Sequence, residues 1–121
     1  MVNVSNNSRK RGAQYEKVAA DYLEKQGLQI LQRNFSSRFG EIDIVAREGR
    51  YLVFVEVKYR ATDSGGHPLE AVDICKQRRI GRTADFYLLR FGYGETTPCR
   101  FDVVGIVGDE MIHVRNAFER E

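Results

Sequence analysis

The chain has 121 residues, enough for one domain with one core, and its 42% hydrophobic and 30% charged residues exclude a disordered protein. A net charge of +2 is too small to name a partner, and no apolar run approaches the length of a membrane span. The N-terminus MVNVSNNSRK has no signal-peptide core, and Cys75 and Cys99 lack metal-ligand spacing. One disulfide between them is possible in principle, but nothing suggests secretion, so a cytoplasmic protein is expected.

Residues 1–8 are polar and read as a flexible N-terminus, leaving residues 9–118 as a single domain. From about Ser8 to Gln26, Tyr15, Val18, Ala19, Tyr22 and Leu23 recur at helical spacing on one face, and Gly27 is a natural helix stop. Glu16 projects at the margin of that stripe, as an ordinary exposed helix acid or as part of a site. Arg9, Lys10 and Arg11 open the helix, where positive charge opposes the helix dipole. A polyanion partner explains such a run, and so does simple solvation. Leu28 to Phe35 reads as a first strand, followed by a connection over residues 34–38.

Gly40 to Lys58 reads as a β-hairpin, because two alternating runs flank Glu48-Gly49. With Glu48-Gly49 as the loop, Asp43 lies opposite Phe54 and Glu41 opposite Glu56. One face then carries Ile42, Ile44, Ala46, Tyr51, Val53, Val55 and Val57. The other carries Glu41, Asp43, Val45, Leu52, Phe54, Glu56 and Lys58. Asp43 and Glu56 come within about 5 Å of each other, a repulsion of roughly 3 kcal/mol at an effective dielectric near 20. Water, a proton or a cation must relieve it. A solvated face with Lys58 as counter-charge is one reading. Phe54, Leu52 and Val45 beside the acids argue for a partly covered face, which favours the other two.

Arg60 to His67 is a loop by composition, placed to act as a flap beside the acids. Pro68 then starts a second helix, with Leu69, Val72, Ile80, Thr83, Ala84, Tyr87 and Phe91 as its buried stripe. Lys76 falls in the middle of that stripe, so its ammonium must snorkel or meet an anion. Gln77 flanks the stripe, and Arg78, Arg79 and Arg82 form an outer basic ridge. Arg100 to Val107 and Met111 to Val114 read as the last strands, turned by Gly108-Asp109. Asp102 is expected to pair with Arg100 or a helix end rather than to act as a ligand, and His113 to be structural or exposed. The order helix, three strands, helix, two strands favours an α/β fold, a mixed sheet flanked by helices.

Glu16 on the first helix, Asp43, and Glu56-Val57-Lys58 together resemble the PD-(D/E)XK nuclease superfamily, with its restriction-endonuclease-like αβββαβ core. The spacing looks like the archaeal Holliday-junction resolvase branch. More of the chain resembles the bacterial YraN-type family, through Tyr15-Glu16, Arg33-Asn34, Gly40-Glu41-Ile42-Asp43, Val53 to Lys58, Pro68 to Val72, Lys76 to Arg79, Arg100 to Val104 and Asn116-Ala117-Phe118. Two positions depart from the wider superfamily. Ile42 stands where its motif has proline, and Gly81 stands where a RecB-like exonuclease pattern would have tyrosine.

The resemblance implies a metal-dependent endonuclease acting on DNA, possibly branched or single-stranded. Mg²⁺ or Mn²⁺ would be held by Asp43, Glu56, the Val57 backbone carbonyl and, directly or through water, Glu16. Lys58 would orient the attacking water or stabilise charge on the phosphate oxygens. Lys76 and Gln77 would reach the scissile phosphate or Glu56. Arg60, Arg79, Arg9, Lys10 and Arg11 would contact nucleic acid, and a homodimer would supply the two sites that resolvases need. The alternative is a nucleic-acid-binding adaptor that keeps the fold without cutting.

Overall fold

The computed structural model describes residues 4–60 and 72–120, with the side chains of residues 4–10 excepted. Its elements are α1 (Val4–Lys25), β1 (Gln29–Ser37), β2 (Gly40–Glu48), β3 (Tyr51–Arg60), α2 (Ile74–Arg90), β4 (Cys99–Val107) and β5 (Glu110–Phe118). The strands form one sheet in the order β1-β2-β3-β4-β5. Every neighbouring pair is antiparallel except β3 and β4, which run parallel. A parallel step needs a crossover, and the connection that holds α2 supplies it. The result is a mixed sheet with one helix against each face, consistent with a restriction-endonuclease-like core.

Each face has its own apolar layer. Ala19, Ala20, Leu23 and Leu28 pack on Ile44, Ala46, Val53, Val55 and Val104 beneath α1. Ile80, Ala84 and Tyr87 of α2 pack on Val45, Leu52, Phe54, Phe101 and Val103. Strand alternation therefore divides β3 cleanly, odd residues to α1 and even residues to α2. Val18 and Phe91, expected in the buried stripes, are each 48% exposed: Val18 falls on the flank of α1 beside buried Ala19, and Phe91 caps α2 beyond its last turn.

The ends of the elements follow local chemistry. α1 begins at Val4, ahead of the expected Ser8, since no Gly or Pro interrupts residues 4–11. It stops at Gly27, whose φ of 97° lets Gly27 N–H reach Glu24 O and Leu28 N–H reach Leu23 O, with Leu23 and Leu28 in contact below. α2 begins at Ile74 rather than at Pro68. Asp73 is extended, with ψ of 175°, and its carboxylate accepts the Lys76 N–H at 2.9 Å, which fixes the N-cap there. Pro68, Leu69 and the expected flap lie outside the described residues. β5 extends to Phe118, past the expected Val114, because Asn116 adopts a φ of 51° and gives its N–H to Asp102.

The hairpin loop is Gly49-Arg50, not Glu48-Gly49. Glu48 pairs with Tyr51, Val45 with Phe54 and Ile44 with Val55. Gly49 has a φ of 59°, and a two-residue loop of the II′ kind takes glycine at its first position. Each residue thus meets a partner two positions from the expected one, which leaves the β3 faces unchanged. The correction moves Glu41 away from Glu56; Glu41 pairs with Ser36 of β1 instead.

Candidate functional site

The site forms where β2 parts from β3. On β1, Arg33 pairs with Ile44 and Phe35 with Ile42, so Asn34 and Asp43 occupy the step between. Asn34 adopts a φ of 56°, a left-handed backbone that turns the strand pair. Ile44 packs under α1, whereas Ile42 and Phe35 pack with α2. This corrects the expectation that Ile42 and Ile44 share a face. Because the pair rotates at this step, the Asp43 carboxylate swings toward β3. Its Oδ2 accepts the Val57 N–H at 2.8 Å, beyond the last paired residues Ile44 and Val55.

Glu56 is 7% exposed and takes two ammonium groups on one oxygen. Lys76 Nζ lies 2.8 Å and Lys58 Nζ 3.4 Å from Glu56 Oε1. The Lys76 ammonium, placed by its stripe position on α2, meets an anion rather than snorkelling to water. Asp43, Glu56, Lys76 and Arg79 line one cavity of about 510 Å³, together with Glu41 and the β1–β2 turn. A larger hollow of about 690 Å³ near Leu89, Tyr93 and Phe118 is lined by none of these acids.

The electrostatics are those of crowded acids. Burial, and then the charge of Glu56, push the Asp43 pKa up to about 7, against the pull of the Val57 N–H and Lys76. Burial likewise raises Glu16, opposed by Arg33 and a hydrogen bond from Asn34. Lys58 is lowered by burial and by neighbouring Lys76. Lys76 goes the other way: burial pulls it down, but its bond to Glu56, its contact with Lys58 and the charges of Glu56 and Asp43 together outweigh that and carry it up. Of the two lysines sharing Glu56, Lys76 thus holds its proton more tightly, and Lys58 gives its own up more readily.

Glu16 stands at the edge of this group. Its Oε1 is buried without a hydrogen-bond partner, 3.9 Å from Arg33 Nη2, which itself donates to Ala13 O. Among the described residues, no three of His, Cys, Asp and Glu form a ready-made ligand set. The donors that do fit a hard cation are the two carboxylates Asp43 and Glu56. Mg²⁺ commonly takes one or two carboxylates and fills the remainder with water and phosphate oxygens. Burial, more than charge, raises both Asp43 and Glu16, and it leaves Glu16 Oε1 without a hydrogen-bond partner.

Other expected residues fall elsewhere. Gln77 donates its Nε2–H to Val72 O at 3.1 Å, which holds it to the start of α2 rather than in the cavity. Arg79 lines the cavity, although it was expected on the outer ridge. Arg60 closes β3, its carbonyl accepting the Gly108 N–H. Arg11 is exposed on α1, while the side chains of Arg9 and Lys10 lie outside the described residues. Arg33 and Asn34 were not expected in the site. The only sign of them was that the pair belongs to the stretch shared with YraN-type sequences.

Asp102 and His113 build a separate structural network. Asp102 accepts from Arg100 Nε and Nη2 at 2.9 and 3.1 Å and from Asn116 N–H at 2.9 Å, and pairs with His113 Nε2 at 2.8 Å. Burial alone would raise its pKa, but these bonds hold it below the usual range. Arg100 continues to Glu48, which also meets Arg115, so β2, β4 and β5 are tied together. Cys75 and Cys99 are both free.

Helices on both faces of a mixed sheet, with a parallel β3–β4 step and acids at the parting of β2 and β3, define an α/β protein of restriction-endonuclease-like architecture. The chain belongs to the uncharacterised protein family UPF0102, the YraN-type family, whose model matches residues 15–106. It is 55% identical over 113 residues to a UPF0102 protein of Lachnoclostridium phytofermentans, covering 93% of this chain and 96% of that one. It is 47% identical to one of Chromohalobacter salexigens, covering 98% of each, and 50% identical to one of Symbiobacterium thermophilum, covering 82% and 83%.

Proposed function

We propose that this protein is a divalent-cation-dependent nuclease that hydrolyses phosphodiester bonds of DNA in the cytoplasm. The observation that supports it is the convergence of Asp43, Glu56 and Lys58 where β2 and β3 part. Asp43 and Glu56 would hold Mg²⁺ or Mn²⁺, with the Val57 carbonyl and water completing the shell and Glu16 acting through water. When bound, the cation supplies a lowered water pKa and a polarised phosphate.

The chain's own residues do the rest. Lys58, held beside Glu56, orients the attacking water; the new P–O bond forms as the P–O bond to the leaving sugar oxygen breaks, the water's proton passing to solvent and the leaving oxygen taking one from it. Lys76 and Arg79 face the cavity and bind the phosphate oxygens as charge develops on them. Arg60 and Arg11 extend the basic track for the strand. Gln77 has no part in this scheme. A homodimer would present two such sites to paired strands.

The test is Mn²⁺-dependent cleavage of branched, nicked and single-stranded DNA. Asp43→Asn, Glu56→Gln and Lys58→Ala should each reduce cleavage at least about a hundredfold with the fold retained. Cleavage that survives all three would overturn the assignment.

One observation favours a second reading, a nucleic-acid-binding adaptor. Lys76 and Lys58 already neutralise Glu56 without a cation. An adaptor would bind DNA with no metal requirement, and its affinity would fall by about 0.9 log units per phosphate contact for each tenfold rise in salt. The burial of Asp43 beside Glu56 argues against it, because an adaptor has no use for two acids held together out of water.

A further inference from the structure

Tyr15 of α1 and Tyr59 of β3 stack with ring centroids 3.8 Å apart and planes within 9°. This is the closest and most nearly parallel of the described aromatic pairs; the other stacked pairs stand 5.1 to 6.1 Å apart and tilt by 20 to 27°. Tyr59 is nevertheless 41% exposed. With one ring face covered by Tyr15, its exposure belongs to the opposite face and the ring edge.

The place of the stack matters as much as its geometry. Tyr15 directly precedes Glu16, whose charge reaches Asp43, and Tyr59 follows Lys58 but lies on the α1 side of the sheet, so the stack stands across the end of β3 from Lys58 and Glu56. Arg11 lies one helical turn before Tyr15, exposed, and close enough for its charge to act on the Tyr15 phenol. The neighbouring Tyr59 hydroxyl, foremost, holds the Tyr15 hydroxyl above its ordinary pKa. The other exposed rings are engaged elsewhere. Phe86 and Phe91 pack with Phe35, and Tyr51 lies under Arg50 at the hairpin turn.

We propose that the Tyr15–Tyr59 stack is a platform for an unpaired base, so that the site takes single-stranded or locally melted DNA in preference to intact duplex. The inference rests on the nucleic-acid reading above and deepens it. An open aromatic face beside a cation is the combination that single-strand binders use: the ring stacks on a base of any sequence while the cation holds the adjoining phosphate. Bases within a duplex are stacked on one another and offer no face. The strand that docks on Tyr59 therefore runs from Arg11 past the stack and Glu16, around the end of β3, to the acids.

The test is an oligothymidylate carrying one fluorescent adenine analogue, titrated with the full chain in chelator. The wild type should quench the analogue on binding, and Tyr59→Phe should match it. Tyr59→Leu, which keeps apolar contact with Tyr15 but has no π-face, should lose the quenching and bind roughly fivefold more weakly or worse. Its urea midpoint, compared with that of the wild type, verifies the fold. Asp43→Asn should quench like the wild type while failing to cut with Mn²⁺. Unchanged quenching and affinity in Tyr59→Leu would overturn the platform and leave the nuclease reading standing. A wild type that binds no oligonucleotide would likewise overturn the platform, whereas the nuclease reading falls only if no branched, nicked or single-stranded DNA is cut with Mn²⁺.

Discussion

Asp43 carries a conflict between folding and chemistry in one side chain. Burial and Glu56 hold its pKa near 7, whereas the unfolded chain releases that proton near 3.8. Between those values the folded state binds more protons than the unfolded state. Stability contributed by this group therefore falls as pH rises from about 4 to 7, and stays low above it. Asparagine keeps an acceptor for the Val57 N–H but has no charge to repel Glu56. Asp43→Asn should match the wild type near pH 4 and exceed its stability at pH 8 by on the order of 4 kcal/mol, read from urea unfolding at both values. Parallel pH profiles for the two proteins would show that Asp43 is not strained. A variant that is more stable and inactive is what a functional acid, rather than a structural one, produces.

At the scale of elements, the two acid groups of the molecule differ in kind. The Asp102 network satisfies its carboxylate with four hydrogen bonds and ties β4 to β5. Asp102→Ala would leave Arg100 and His113 without their buried anion. It should cost about 3 to 5 kcal/mol in denaturant unfolding. At permissive temperature the folded fraction should still bind Mn²⁺ as the wild type does. The opposite holds for Asp43, whose loss relieves the fold.

How much of this was legible in the sequence depends on the range of the cause. The faces of β3 follow from strict alternation, which survives an error in the loop, so Glu56 and Lys58 were placed together even with the turn one residue out. Lys76 was legible because helical spacing sets it among apolar residues, where an ammonium needs an anion. Arg79 belongs to the cavity rather than the outer ridge because the β1–β2 turn at Gly40 reaches its Cβ, a contact that no spacing within α2 reports. Ile42 was misplaced because its rotation is set by Asn34 on the neighbouring strand, and no periodicity within β2 reports that. The start of α2 was missed for a local reason: Pro68 and Asp73 are both good starting signals, and only the extended backbone at Asp73 decides between them.

For the whole molecule, a net charge of +2 supplies little general attraction to DNA, so binding has to come from placement. Lys58, Lys76 and Arg79 lie around the acids, with Arg11 on the adjacent helix. No described helix is long and apolar enough to cross a membrane. The account as a whole rests on Asp43 and Glu56 accepting a divalent cation in place of the proton and the ammonium groups that now relieve them. A cation that displaces the Asp43 proton must bind more tightly as pH rises through 7. Calorimetric titration with Mn²⁺ at pH 6 and pH 8 measures this directly. The account predicts one site in the wild type, tighter at pH 8, and none in Asp43→Asn. No binding at millimolar Mn²⁺ at pH 8, or equal binding by the variant, would contradict it.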